Sequence, residues 1–436
     1  MTPSRSEVER EVLEELRPTR EEVRLRDELF VKTKSVLEDV LKKRGLEGEV
    51  TLQGSARKGT WLRGSLELDV FVLFPPKDKE WIKEVAFPAL LEAARALGEP
   101  EVRFAEHPYV RTVIKGVPVE IVPAFKVRSA SEAITAVDRT PFHTEWFLQQ
   151  VRALGDWIRD EVRLLKAFMK GIGVYGAEIA VQGFSGFLCE VLATYYKGFR
   201  GVIEAAAREW RPPTVLETSL PKEEALKRFE GPLVVPDPTD PKRNAAAAVS
   251  LNAYSTFIIA SKLYSVKPSK KFFFPPKPAP ARPVLPTYVV EVPALRAPPE
   301  TVWGELRRVA KSLVKNLRSL GFEVTRFALW SDGSAAKIAL EFLQDSLPEW
   351  EVAKGPPAWS PHALRFLRDK ESWWVDEGRL FARRKRKYTE AKSAIADILK
   401  KLKAKSLILE NSKIERVELA EERWLAEFVS GRPPWS

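Results

Sequence analysis

Two acids, Glu67 and Asp69, lie two residues apart in the apolar run LELDVFVLF at 66–74. The run predicts a β-strand. Side chains two apart on a strand share a face, with Leu66, Leu68 and Val70 on the other. Two carboxylates crowded on one face of an apolar strand repel each other and are poorly solvated. A divalent cation relieves both problems. Mg²⁺, or Mn²⁺ in its place, prefers carboxylate oxygens and leaves positions open for substrate phosphates. Two such ions about 4 Å apart can activate an attacking hydroxyl and steady a departing pyrophosphate. A third carboxylate is needed to share them. Glu120, the one acid in the apolar run VPVEIV at 117–122, is the candidate.

Upstream, Gly54-Ser55 follows a predicted strand at 48–53, and eleven residues separate Ser55 from Glu67. A Gly-Ser turn exposes backbone N–H groups and a hydroxyl suited to phosphate oxygens. Arg57 and Lys58 add positive charge beside it. Taken singly, each feature has a plain alternative: an exposed edge strand for the acids, and an ordinary surface loop for the glycine and serine.

The elements that must position these residues follow from periodicity. Helical spacing is predicted over 6–44 and 81–97, and a turn-rich stretch over 54–64. A hairpin is predicted from 109–114 and 117–122 about Lys115-Gly116. Apolar stripes at 145–170, 184–208 and 244–264 predict a mostly helical second segment. A Pro-rich stretch at 275–286 is expected to be extended and stiff. Beyond it the prediction is a strand at 287–293, a helix at 299–319, strands at 322–330 and 335–343, a helix at 360–369 and a strand at 373–383. That order fits a split βαβ sandwich, which RNA-recognition domains also use. Residues 386–430 are predicted helical. The fold class is therefore multidomain α+β. An α/β domain with a mixed sheet spans 1–141 and a helical domain 142–265. A linker at 266–286 leads to an α+β region at 287–436.

The 436 residues carry a formal charge of +11, which favours a polyanionic partner such as nucleic acid. Residues 376–405 hold eleven Lys or Arg against four Asp or Glu. Such a run either follows phosphates or is simply a solvated face. The adjacent Trp373 and Trp374 offer stacking surfaces or ordinary packing. One cysteine, Cys189, rules out an intramolecular disulfide. Together with the absence of a signal-peptide pattern at the N-terminus, it predicts a cytoplasmic protein. No apolar run reaches the roughly 18 residues of a membrane span.

The Gly-Ser turn, the acid-x-acid strand and a third acid on a later strand resemble the nucleotidyltransferase superfamily of DNA polymerase beta. Further segments narrow the resemblance: GTWLRGSLELDVFVLF (59–74), AEHPYV (105–110), AVDRTPFHTEW (136–146), EVRLLKAFMKGIGVYGAE (161–178), GFSGFLCE (183–190) and DPTDPKRNAAAAVS (237–250). Together they resemble the archaeal, class I CCA-adding enzymes. The resemblance implies template-free addition of C, C and A to the tRNA 3′ end from CTP and ATP, with release of pyrophosphate. It also implies tRNA as partner, and a homodimer is compatible with it.

On matching positions, the resemblance makes Glu67, Asp69 and Glu120 the metal carboxylates. Ser55 and Lys58 would hold the triphosphate. His143, Lys166 and Tyr175 would contact the incoming nucleotide. Arg243 would face the base edge, with Asn244 nearby. The sequence departs from the family pattern at two of these positions: Glu120 stands where Asp is usual, and Lys58 where Arg is common. His107, before Pro108, is a candidate neighbour of the acids, and His362 is predicted at the surface. The residues alone leave open a poly(A)- or oligoadenylate-type nucleotidyltransferase, or a non-catalytic RNA-binding protein with a relic site.

Overall fold

The computed structural model describes residues 6–104 and 108–436. Backbone contacts divide the chain into two compact units, 1–276 with 434–436, and 277–433. His107 lies outside the described residues, as do Ala105 and Glu106 beside it.

The first unit opens with α1 (Glu7–Leu16) and α2 (Arg20–Lys43) rather than one helix. The break falls at Arg17-Pro18-Thr19, where Pro18 cannot continue a helix. Ser6 and Thr19 each start a helix with a capping box, paired with Glu9 and Glu22. Then follow β1 (Glu49–Gln53), α3 (Gly54–Lys58) and β2 (Leu68–Phe74). The helical α4 (Lys79–Trp81) runs through a π-turn into α5 (Phe87–Leu97). The strands β3 (Glu101–Phe104), β4 (Pro108–Ile114) and β5 (Val117–Phe125) complete a sheet. Its order is β1-β2-β5-β4-β3, with β2 and β5 parallel and the other pairs antiparallel. Lys115 and Gly116 both have positive φ, which suits the tight hairpin between β4 and β5.

One face of this sheet is covered. Leu68, Val70, Val72, Val119 and Ile121 form a core with Leu29, Leu37, Val40 and Leu41 of α2 and Ala89, Leu90, Ala93 and Ala94 of α5. Because side chains alternate along a strand, the intervening residues Asp69, Arg111 and Glu120 are turned to the opposite face. Residues predicted as a turn-rich stretch at 54–58 are helical instead, as α3.

The rest of the unit is mainly helical: α6 (Thr140–Leu154), α7 (Trp157–Gly171), α8 (Gly186–Tyr195) and α9 (Phe199–Arg208). A small parallel pair, β6 (Thr214–Val215) and β7 (Leu233–Val234), flanks α10 (Lys222–Arg228). The last helix is α11 (Leu251–Val266), begun by Ser250 as cap. The alanine stretch before Ser250 was expected to be helical but forms turns. There Asn244 takes the backbone for itself: its amide accepts from Val235 N and Ala246 N and donates to Leu233 O.

The second unit holds a four-stranded antiparallel sheet in the order β14-β8-β10-β9. Its members are β8 (Thr287–Pro293), β9 (Val324–Ser331), β10 (Ala335–Phe342) and β14 (Lys413–Arg416). The helices α12 (Pro299–Ser319) and α14 (Ala391–Leu399) share its core. A separate sheet is inserted before α14. It comprises β11 (Trp350–Pro357), β12 (Trp373–Asp376) and β13 (Arg379–Lys385), with the short helix α13 (Ala363–Leu367). The single strand expected at 373–383 is thus a hairpin, turned at Glu377 and Gly378, both at positive φ. It and the helix expected at 360–369 belong to this inserted sheet, while α14 and β14 take the places expected of that helix and strand at the four-stranded one. The all-helical expectation for 386–430 also fails, since β14 lies between α14 and α15 (Arg423–Ser430). Trp374 stacks on Phe381. Within the basic run, Arg384 and Arg386 pair with Glu351, and Lys385 with Glu349. Among the described residues no helix is long and apolar enough to cross a membrane.

Candidate active site

The register of the parallel strands sets Asp69 directly beside Glu120. The hairpin register sets Arg111 beside Glu120 on its other flank. Glu67 lies just before β2, not within it. Arg111 Nη2 is 3.6 Å from Glu67 Oε1, and its Nη1 is 3.9 Å from Glu120 Oε1. Three acids therefore share the open face of the sheet with one guanidinium among them. Among the described residues they do not close into a metal cage as they stand.

Their electrostatics show what the cluster lacks. Burial, then the nearby Glu67 charge, pushes the Asp69 carboxyl up to about 6. Burial, then Glu67 and Asp69, pushes Glu120 up to about 7. Carboxylates so burdened by desolvation and mutual repulsion are an oxygen donor set short of positive charge, which fits a divalent cation.

The same shifts predict a pH dependence. An acid whose folded pKa is raised keeps its proton in the native state after the unfolded chain has released it. Stability contributed by protonated Glu120 is present below its ordinary value of 4.5 and is lost as pH rises toward about 7. Glu120→Gln should remove that loss. In chelator, the variant should exceed the wild type in thermal stability above pH 7 by on the order of 2 kcal/mol, and the gap should shrink toward pH 4.5. A constant gap across this window would contradict the shift.

Gly54 joins β1 to α3 with φ +62, and a Cβ there would meet Asp69 Oδ2 at 1.7 Å. The loop backbone approaches the carboxylate because this residue has no side chain. Ser55 is the next residue, half-buried at the start of α3. Arg57 is exposed, whereas Lys58 is buried and donates to Glu190 Oε2 at 2.6 Å. Lys166 is buried too; its Nζ lies 3.0 Å from Thr60 Oγ1 and 3.6 Å from Glu190 Oε1. Burial lowers the Lys166 pKa, while Glu190 opposes that fall.

The helix α7 carries Arg159, Arg163, Lys166 and Lys170 at helical spacing on one face. Arg159 and Arg163 bind the carbonyls of Lys58, Gly59 and Trp61, so α7 grips the segment that follows α3. Lys170 sits over the Tyr175 ring. A Cβ at Gly186 would lie 3.0 Å from the Tyr175 hydroxyl and 3.7 Å from Lys166 Nζ. Both polar heads thus converge on the N-terminus of α8, and burial pushes the Tyr175 hydroxyl pKa upward.

His143, on α6, stacks on Phe187 at 3.8 Å, and its Nε2 is 2.8 Å from Asp237 Oδ2. Burial alone would raise Asp237, but hydrogen bonds from His143 and Thr239 hold it below the ordinary carboxylate value. Asp240 binds Arg139 and Ser131. These contacts tether the turn that carries Arg243, whose carbonyl accepts from Asp237 N and whose side chain is exposed. The Asn244 amide is consumed by the backbone contacts above.

Four residues at this site escaped the sequence: Arg111, Lys170, Glu190 and Asp237. Two had signals. Arg111 is the position that the predicted hairpin sets opposite Glu120, and Glu190 is the only charge in the helix GFLCEVLATY. Lys170 offered only its place on the α7 stripe, and Asp237 lies in a proline-flanked turn without periodicity.

Residues 34–143 match the family model described as nucleotidyltransferase domain. That is the class of enzyme to which this part of the chain corresponds. Residues 160–274 match tRNA nucleotidyltransferase, second domain, and 287–407 match CCA-adding enzyme, C-terminal domain. The CCA-adding enzyme of Sulfurisphaera tokodaii is 38% identical over 431 residues, 98% of this chain and 96% of that protein. That of Sulfolobus acidocaldarius is 37% identical over 436 residues, covering 98% and 99%. The chain belongs to the CCA-adding enzyme family of tRNA nucleotidyltransferases. Among solved structures, the RNA terminal uridylyl transferase Cid1 matches 61% of this chain and 96% of its own, at 15% identity and TM-score 0.48.

Proposed function

We propose that this chain completes the 3′ end of tRNA without a template, adding C, C and A from CTP and ATP. The terminal ribose hydroxyl attacks the α-phosphorus of the nucleotide. The bond between the α-phosphorus and its bridging oxygen breaks, and pyrophosphate leaves. The observation that carries this reading is the register pairing of Asp69 with Glu120 on the open face of the sheet, beside a basic stripe on α7. Family membership over nearly the full length favours CCA addition over a poly(A)-type or a non-catalytic reading.

In this account Glu67, Asp69 and Glu120 supply oxygens to a divalent cation, Mg²⁺ or Mn²⁺. Such an ion polarises phosphoryl oxygens and lowers the pKa of a bound hydroxyl. The longer Glu120 side chain serves where the family usually has Asp. Ser55 presents its hydroxyl, and Lys58 its ammonium, to the triphosphate. Lys166 and Tyr175 add donors at the N-terminus of α8, where the helix dipole also favours an anion. His143, oriented by Asp237, reaches the nucleotide from α6. Arg243 offers its planar fork of donors to the base edge and favours C or A over G and U.

Residues 1–141 act as the catalytic lobe and 142–265 as the helical lobe that closes on the nucleotide. The strand order β14-β8-β10-β9, with α12 and α14, supports a split βαβ region that binds the tRNA acceptor arm. The test is incubation of tRNA lacking CCA with CTP, ATP or both. The expected products are two added C residues with CTP alone and a full CCA end with both. Long homopolymer tails, or addition independent of CTP, would favour the poly(A)-type reading.

A further inference from the structure

We propose that Glu190 is a positioning residue for nucleotide binding, holding the Lys58 and Lys166 ammonium groups together so that both meet the triphosphate. The proposal rests on the reading that those two lysines face phosphate. Glu190 is only 1% exposed, and its carboxylate is the hub of a buried cluster. One oxygen accepts from Lys58 at 2.6 Å. The other accepts from Thr60 at 3.3 Å and lies 3.6 Å from Lys166. Thr60 in turn accepts from Lys166 at 3.0 Å.

This single side chain ties together three segments: the end of α3 with the residues after it, α7, and α8. A bare fold-stabilising ion pair needs one cation for one anion. Here two ammonium groups share one carboxylate, so the cluster keeps a surplus positive charge. That surplus lies near Asp69, whose pKa both lysines lower. A buried ion pair adds little net stability, because desolvation offsets attraction, but it holds its partners in one geometry. An anion arriving at the N-terminus of α8 would meet both ammonium groups already placed, with little rotamer entropy left to lose.

Glu190→Gln keeps the volume and removes the charge. Dissociation constants for CTP, inorganic tripolyphosphate and tRNA would be measured by calorimetry, alongside thermal denaturation. CTP and tripolyphosphate should each weaken about tenfold, the worth of one charge-assisted contact. Affinity for tRNA should stay unchanged, and Glu190→Asp should recover part of the loss. Unchanged CTP binding in folded Glu190→Gln overturns the proposal, as does weakening of CTP and tRNA by the same factor. If that variant does not fold, Thr60→Val removes the hydroxyl between Lys166 and Glu190. CTP should then weaken several-fold, and no change overturns the proposal. Lys58→Met and Lys166→Met separate the two levels. If neither weakens CTP, the phosphate reading itself fails. If both do and Glu190→Gln does not, only the role of Glu190 fails.

Discussion

Replacing Asp69 by Asn should abolish nucleotide addition while leaving the protein folded and its tRNA affinity nearly intact. The substitution keeps size and shape but removes the charge nearest the centre of the acid cluster. Its neighbours cannot compensate. Glu67 lies outside the strand, and Glu120 is flanked by Arg111. A fall in kcat of roughly 10³-fold or more is expected, since the lost interaction acts where charge develops in the transition state. Thermal stability without added metal should not fall. The wild-type carboxyl is held against burial and the Glu67 charge, so neutralising it relieves the native state. Loss of activity with an unchanged or higher melting temperature separates a chemical role from a structural one. Unchanged turnover would remove Asp69 from the site.

Gly54→Ala should nearly match that loss by displacement rather than by charge. The new Cβ would sit 1.7 Å from Asp69 Oδ2, and the backbone at φ +62 already disfavours an L side chain. The conformational cost is about 1–2 kcal/mol. The collision must then be relieved by moving either the carboxylate or the loop that carries Ser55. A shift of about 1 Å in a reacting group can cost roughly 100-fold in rate, so kcat/KM should fall at least that far. Gly64→Ala is the matched control. Its φ is +73, but nothing lies within 4 Å of its Cβ position. It should lose similar stability and keep activity within a few-fold. Equal activity losses in both variants would mean that backbone strain, and not the approach to Asp69, is what matters.

The sequence was most legible where periodicity was strong. The helix at 299–319 and the strand at 287–293 have the bounds their patterns predict, and the hairpin about Lys115-Gly116 turns where its turn residues predict. The second unit misled where local pattern gave way to tertiary pairing. The Trp373–Asp376 strand and its neighbour looked like one strand because Glu377-Gly378 interrupts the apolar alternation by only two residues. Strand β14 has no apolar run of its own and exists because β8 offers it an edge. At the site, the acids could be read from their contrast with apolar strands. The predicted hairpin already sets Arg111 opposite Glu120, but the approach of Arg111 to Glu67 and the sharing of Glu190 by two lysines come from tertiary packing. Those contacts join positions up to 132 residues apart, and local pattern does not report them.

Diffraction from crystals soaked with Mn²⁺ and CTP, recorded at the manganese edge, reads the central claim most directly. The account predicts anomalous density bounded by Glu67, Asp69 and Glu120, with the triphosphate running from it toward Lys58 and Lys166. Density seated elsewhere, with Glu120 pointing away from Asp69 and no ion between them, would contradict it.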